Sequence, residues 1–167
     1  MTVSSPFLIS HRGAAGCAPE NTMPALKKAI ELGVSFVEID IRRSQDGVLS
    51  VIHDASVDRT TDGHGLVEEL LWKDIAALDA GAWFDPAFTG ERVPRLEEVL
   101  EFMSRQKTTL IIEVKDPRRY PGIGDQLSEI LKQYSMEQKV LVISFDRKWL
   151  AGFTKDHPEI KAGSLYR

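Results

Sequence analysis

The sequence predicts an α/β fold organised around a parallel sheet. Two observations predict it. Short apolar runs rich in Val and Ile recur at strand length, and segments of helical periodicity alternate with them. The runs also end in polar residues able to do chemistry. Residues 7–10 (FLIS) deliver His11 and Arg12, 36–41 (FVEIDI) carry Glu38 and Asp40, and 48–52 (VLSVI) deliver His53 and Asp54. Side chains two apart on a strand share a face, so Glu38 and Asp40 point to one side and the charged groups gather at one end of one sheet.

Taken in order, the first strand is followed by a helix expected to start near Asn21 or Thr22 and to end at Gly33. Asn and Thr favour the N-cap, and Gly favours the position after a helix end. Leu26, Ala29, Ile30 and Leu32 supply its buried stripe. For Asn21 and Thr22, capping is preferred to substrate contact. Gln45-Asp46-Gly47 is a turn signal, so strands two and three are expected to be joined tightly rather than through a helix. Residues 55–92 break the alternation, with Gly-rich turns around one short helical pattern from Trp72 to Leu78. Trp83 and Phe84 there either line an entrance or pack the segment down. A helix from Leu96 to Arg105 follows Pro94. Thr108 to Val114 forms strand four, bringing Glu113 and Lys115 to one face. A helix from Gly124 to Tyr134, a strand from Val140 to Ser144, a helix capped by Asp146 and running to about Asp156, and a strand from Ile160 to Tyr166 complete the chain.

The 167 residues are 43% hydrophobic and 28% charged, enough for one domain with a real core and with no internal repeat or linker. The net charge of −4 offers no footprint for nucleic acid or an anionic membrane. Cys17 has no partner for a disulfide and reads as a small loop residue. The opening MTVSSPFLIS contains neither a basic signal-peptide start nor a membrane span, so a cytoplasmic protein is expected.

His11-Arg12-Gly13, Pro19-Glu20-Asn21-Thr22, Glu38-Ile39-Asp40 and His53-Asp54, in this order and spacing, resemble the glycerophosphodiester phosphodiesterase family. Leu78-Asp79-Ala80-Gly81, Val93-Pro94 and Glu113-Val114-Lys115 agree with it. The resemblance runs from about Leu8 to the end of the chain. It sharpens the expected fold to a (β/α)8 barrel of TIM type, whose sites lie at the C-terminal ends of the strands. It also implies that residues 55–92 form a small excursion over the barrel mouth. Family members usually carry Ser or Thr where this chain has Arg95, which removes an N-cap worth roughly 1 kcal/mol.

The residues themselves leave two readings of the carboxylates Glu38, Asp40 and Glu113. Buried together they repel one another and lose solvation. Either a salt-bridge cluster with Arg42, Arg12 or Lys115 relieves this, or one hard divalent cation does, Mg2+ or Ca2+ given the all-oxygen ligands. The resemblance implies the cation, with Glu38, Asp40 and Glu113 as its ligands. It further implies that His11 and His53 act as an acid–base pair. Arg12 and Lys115 are by their charge the natural partners of the phosphate oxygens, and the place of Arg12 in His11-Arg12-Gly13 favours that role over a structural ion pair. The expected activity is hydrolysis of a glycerophosphodiester to glycerol 3-phosphate and an alcohol. A related lyase that stops at a cyclic phosphate and a non-catalytic binding module are the alternatives. His64 and His157 are expected to be solvated.

A full barrel takes ~250 residues, and six strands are legible here. The expectation is therefore an incomplete barrel, a piece of a longer protein, with strands one and six as open edges prone to self-association and with inward-facing apolar residues left uncovered.

Overall fold

The structure, a computed structural model, describes residues 8–166. Phe7, which opens the first apolar run, the rest of the N-terminal stretch and Arg167 lie outside the described residues. The elements run β1 (Ile9–Ser10), α1 (Met23–Glu31), β2 (Phe36–Arg43), β3 (Leu49–Val51), α2 (Trp72–Ile75), α3 (Leu96–Ser104), β4 (Thr109–Val114), α4 (Ile123–Gln133), β5 (Val140–Ser144), α5 (Arg147–Asp156) and β6 (Ala162–Ser164).

One six-stranded sheet joins them in the order β1-β2-β4-β5-β6, all parallel. The sixth strand, β3, leaves this wall. It folds back antiparallel on the end of β2, with Ile41 opposite Val51 and Arg43 opposite Leu49. The tight turn at Gln45-Asp46-Gly47 explains why, since a parallel partner needs a crossover of a dozen or more residues. Gly47 takes a positive φ of 91° there. The wall is an arc of a TIM-type barrel, with β1 and β6 each bonded to one neighbouring strand among the described residues.

Alternation along β2 sets the two faces of the arc. Val37, Ile39 and Ile41 join the main core with Leu26 and Ala29 of α1, Leu96, Val99 and Leu100 of α3, and Leu127 and Leu131 of α4. The opposite face of β2 carries Glu38, Asp40 and Arg42, all buried. By register that inner face continues through Ile111 and Glu113 of β4 to Leu141 and Ile143 of β5. Leu141 and Ile143 are only half-buried, although β-branched and Leu side chains of this kind fill the interior of a closed barrel.

Several ends differ from expectation. Thr22 is the N-cap of α1, but its hydroxyl donates to Pro19 O at 2.6 Å instead of capping, and Pro24 at the second helical position has no N–H to be capped. Gly33, with φ 69°, ends α1 as expected. The helix expected over Trp72–Leu78 is one turn, Trp72–Ile75. Arg95 cannot accept a hydrogen bond as a cap. Glu98 Oε2 instead accepts from the Arg95 N–H at 3.3 Å, keeping half of a capping box. Asp146 caps α5 as expected, accepting from Trp149 N–H at 3.0 Å. Strand six is three residues long.

Residues 55–92 form short turns over a separate apolar cluster of Ile52, Val57, Val67, Ile75, Ala80 and Val93. Trp83 donates its Nε1–H to Ala80 O at 2.9 Å and meets Phe84 edge-on, which in turn packs on Phe88. His64 is exposed beside Asp58. His157 is not solvated: its ring lies tilted against Phe153, with centroids 5.0 Å apart, and pairs with Asp125 at 3.1 Å, tying the end of α5 to α4. Cys17 is a free, exposed thiol.

Candidate active site

The C-terminal ends of β1, β2, β3 and β4 bring the predicted residues together. Asp40 and Glu113 are direct register partners on β2 and β4, and Glu38 lies two residues back on the same face. One carboxylate oxygen from each lies within 4.8 Å of the others. All three are buried, Asp40 completely. Burial, and after it the charge of Asp40, pushes Glu38 up to about 8.

Two cations approach this cluster. Lys115 Nζ lies 2.8 Å from Glu113 Oε1 and 3.3 Å from Asp40 Oδ1, and Arg12 Nε lies 3.5 Å from Asp40 Oδ2. The backbone N–H of Arg12 donates to Glu38 Oε2 at 2.8 Å. Arg42, the third cation considered, turns away and bonds the His53 carbonyl at 2.8 Å and Asp116 at 2.9 Å. A salt-bridge cluster is thus present but incomplete. Glu38 Oε1 and Asp40 Oδ1 are buried and accept no hydrogen bond. Asp40 Oδ1 still has the Lys115 ammonium at 3.3 Å, whereas an acceptor orphaned as Glu38 Oε1 is costs about 1–3 kcal/mol. An all-oxygen set with one orphaned buried carboxylate oxygen, Glu38 Oε1, and a second, Asp40 Oδ1, held only by the Lys115 ion pair fits one hard divalent cation.

His11 follows β1 and lies 3.8 Å from Glu38 Oε2. Partial burial first, then the Arg12 charge, lower its pKa below the ordinary 6.5. His53 follows β3, and its Nδ1 is 2.6 Å from Asp54 Oδ1. Asp54 is held down to about 2, chiefly by its hydrogen bond from Arg59, so it acts as an acceptor and places the His53 proton on Nδ1. A cleft of about 710 Å3 is lined by His53, Glu113, Lys115 and Arg42, and by Phe145 and Asp146 beyond β5. That is roomy enough for a small phosphodiester.

The backbone is bent to make this site. Arg12, Asn21 and Asp116, none of them glycine, take positive φ of 55°, 58° and 43°. Such conformations cost of order 1 kcal/mol or more each and collect at functional sites. Gly13 makes the first bend possible. It has φ 72°, and a Cβ there would lie 2.8 Å from the Ala25 backbone of α1. Gly13→Ala should therefore lower stability by a few kcal/mol, on the order of an overpacked core site, read as a drop in denaturation midpoint. An unchanged midpoint would show that α1 can move aside.

Asn21 is a correction. It caps nothing: its Nδ2 donates to Asp40 Oδ2 at 2.9 Å and its Oδ1 accepts from the Asp40 N–H at 3.2 Å. Glu20, Asp54 and Arg59 were given no role from sequence, yet they form the surrounding network. Glu20 bonds Arg12 at 2.9 Å and Arg59 at 2.7 Å. Glu20 and Asn21 stand in the Pro19–Thr22 motif and Asp54 directly follows His53. Their presence in these motifs was the available signal.

The shifted glutamate has a measurable consequence. A folded-state pKa of about 8 against an ordinary 4.5 means that the cation-free fold favours protonated Glu38. Its contribution to stability is present in full below pH 4.5 and is lost as pH rises through about 8. In chelator, the denaturation midpoint should fall over that window, and saturating Mg2+ or Ca2+ should flatten the dependence. A midpoint that rises with pH would contradict the assignment.

The acidic cluster and the two histidines stand at the strand ends of an α/β arc, where TIM-type barrels carry their active sites. The model of the glycerophosphoryl diester phosphodiesterase family matches residues 11–167, and the chain belongs to this family. A glycerophosphodiester phosphodiesterase of Caldanaerobacter subterraneus subsp. tengcongensis is 42% identical over 96% of this chain and 67% of its own length. One from Bacillus altitudinis is 38% identical over 95% of this chain and 65% of its own. Among solved structures, a phosphodiesterase from Oleispira antarctica in complex with the product sn-glycerol-3-phosphate superposes with a TM-score of 0.89 at 35% identity. That superposition covers 95% of this chain and 65% of that one. The chain thus spans about two thirds of the length of these relatives. No helix among the described residues is long and apolar enough to cross a membrane.

Proposed function

We propose that this chain carries the catalytic constellation of a cation-dependent glycerophosphodiester phosphodiesterase, releasing glycerol 3-phosphate and an alcohol. The convergence of Glu38, Asp40 and Glu113 between His11 and His53 carries the reading, and the product bound by the Oleispira relative supports the substrate class. Glu38, Asp40 and Glu113 would hold one divalent cation, Mg2+ or Ca2+, which supplies charge stabilisation at the phosphoryl oxygens. Arg12 and Lys115, already beside that cluster, bind and orient the phosphate.

His11 and His53 move the protons. One takes the proton of the substrate's neighbouring glycerol hydroxyl as that oxygen attacks phosphorus, and the other protonates the departing alcohol oxygen. The product of this step is a cyclic phosphate. With roles reversed, a water loses its proton to the second histidine and adds to phosphorus. The ring oxygen takes a proton from the first, leaving glycerol 3-phosphate. The lowered pKa of His11 suits it to begin neutral, as the base. Asp54 keeps the His53 proton on Nδ1, so Nε2 is the exchanging nitrogen.

Phosphorus NMR of glycerophosphocholine incubated with the protein and Mg2+ or Ca2+ tests this. Glycerol 3-phosphate is the expected product. Accumulation of the cyclic phosphate alone would assign the lyase reaction instead, and binding without turnover would assign a binding module.

A further inference from the structure

Arg59 comes from the 55–92 excursion, not from a strand end, yet it touches both halves of the site. Its Nε lies 2.6 Å from Asp54 Oδ2, while its two terminal nitrogens lie 2.7 and 3.0 Å from the two oxygens of Glu20. Beyond Asp54 stands His53 Nδ1 at 2.6 Å, and beyond Glu20 stands Arg12 Nη1 at 2.9 Å. A single guanidinium therefore closes a continuous chain of charge-assisted hydrogen bonds from His53 to Arg12.

We propose that Arg59 is a positioning residue that sets His53 and Arg12 in register with each other, by gripping Asp54 and Glu20 at once. The proposal rests on the reading of His53 as an acid–base group and Arg12 as a phosphate ligand. Asp54 is not buried deeply enough to be held by packing alone. The Asp54 side chain is 29% exposed, so without Arg59 water competes for its oxygens and its rotamer is freed. His53 then loses the acceptor that fixes its tautomer. Glu20, released from one cation, is free to follow the other, and Arg12 loses its fixed backing. Nothing in this chain of contacts requires Arg59 to touch substrate.

The geometry also dictates which residue can do this. A guanidinium presents its Nε edge to one carboxylate and its terminal fork to a second. A lysine has a single ammonium and cannot hold both in fixed planes. Arg59→Lys keeps the charge and should still fail to position.

The test uses His53 as its own reporter. In long-range 1H–15N spectra of the full chain, wild-type His53 should show one tautomer with the proton on Nδ1. In Arg59→Ala and Arg59→Lys it should become a mixture. Turnover should fall about 10- to 100-fold in kcat, the scale of losing a partner that orients a working side chain, with cation affinity unchanged. Guanidinium in solution should restore part of the loss in Arg59→Ala. A purely structural clamp would lower the melting temperature of the variants, leave the His53 tautomer intact and show no rescue; that result would overturn the proposal. If Arg59→Ala does not fold, the tautomer in Arg59→Lys decides. Wild-type behaviour of both Arg59 variants alongside an inactive His53→Ala would refute only the role of Arg59. Full activity in His53→Ala would refute the reading beneath it.

Discussion

Asp40→Asn should abolish tight divalent-cation binding, and turnover should fall with it. Asp40 is the fully buried member of the cluster, and its carboxylate is held from several sides: Asn21 and Arg12 on Oδ2, Lys115 beside Oδ1 and Glu113 across the β2–β4 register. An amide keeps the shape. It removes the charge and places a donor nitrogen among acceptors, or against the Asn21 amide that now donates to Asp40. Cation affinity should drop by more than the ~10- to 100-fold that losing a group behind a ligand costs. Glu38→Gln and Glu113→Gln should act in the same direction. For Glu38→Gln the change also relieves repulsion in the cation-free protein, so that variant should be at least as stable as wild type in chelator at neutral pH while binding the cation poorly. Calorimetry and denaturation on the same samples separate the two effects. A variant in which all three are amides and which still binds one cation tightly would dismiss the site.

His11→Ala and His53→Ala should each lower kcat by at least ~100-fold, the usual scale for a general acid or base, while leaving cation affinity nearly unchanged. The separation follows from the geometry. His11 Nε2 is 3.8 Å from Glu38 Oε2, beyond hydrogen-bond distance, and His53 is bonded to Asp54 and not to the carboxylate cluster. The pH dependence of the two losses should differ as well. His11 is held below its ordinary value, so a base-limited arm of the profile belongs to it and should vanish in His11→Ala. Near wild-type turnover in either variant would remove that histidine from the mechanism.

Much of this was legible before the structure, and the reasons are local. Period-two alternation in 36–41 is enough to put Glu38 and Asp40 on one face. The Gln45-Asp46-Gly47 turn is enough to bring β3 back against β2. What the sequence did not show depends on contacts between distant residues or on backbone conformation. Asn21 sits where an N-cap is expected, and only its positive φ turns the side chain to Asp40 instead of to the helix. Arg42 alternates in phase with Glu38 and Asp40, so the pattern counted it among their possible partners. The structure sends it to Asp116 and the His53 carbonyl because β3 ends beside it. Arg59 lies in a turn-rich stretch with no periodicity at all, and its link to Glu20 spans 39 residues. His157 looked like a solvated residue beside a proline, and packing on Phe153 covered it. The six strands read from the sequence are the six of the sheet among the described residues, and β3 turns back as the tight connection requires.

The measurement that bears most directly on the account is a calorimetric titration of Mg2+ or Ca2+ into the chelator-stripped protein near neutral pH, repeated in buffers of different ionisation enthalpy. Burial and the Asp40 charge hold Glu38 protonated under these conditions, at a pKa of about 8, and a bound cation must displace that proton. One cation per chain, release of about one proton on binding, and loss of both in Asp40→Asn are the expected results. Absence of saturable binding, or binding without proton release that survives in Asp40→Asn, would contradict the cation site.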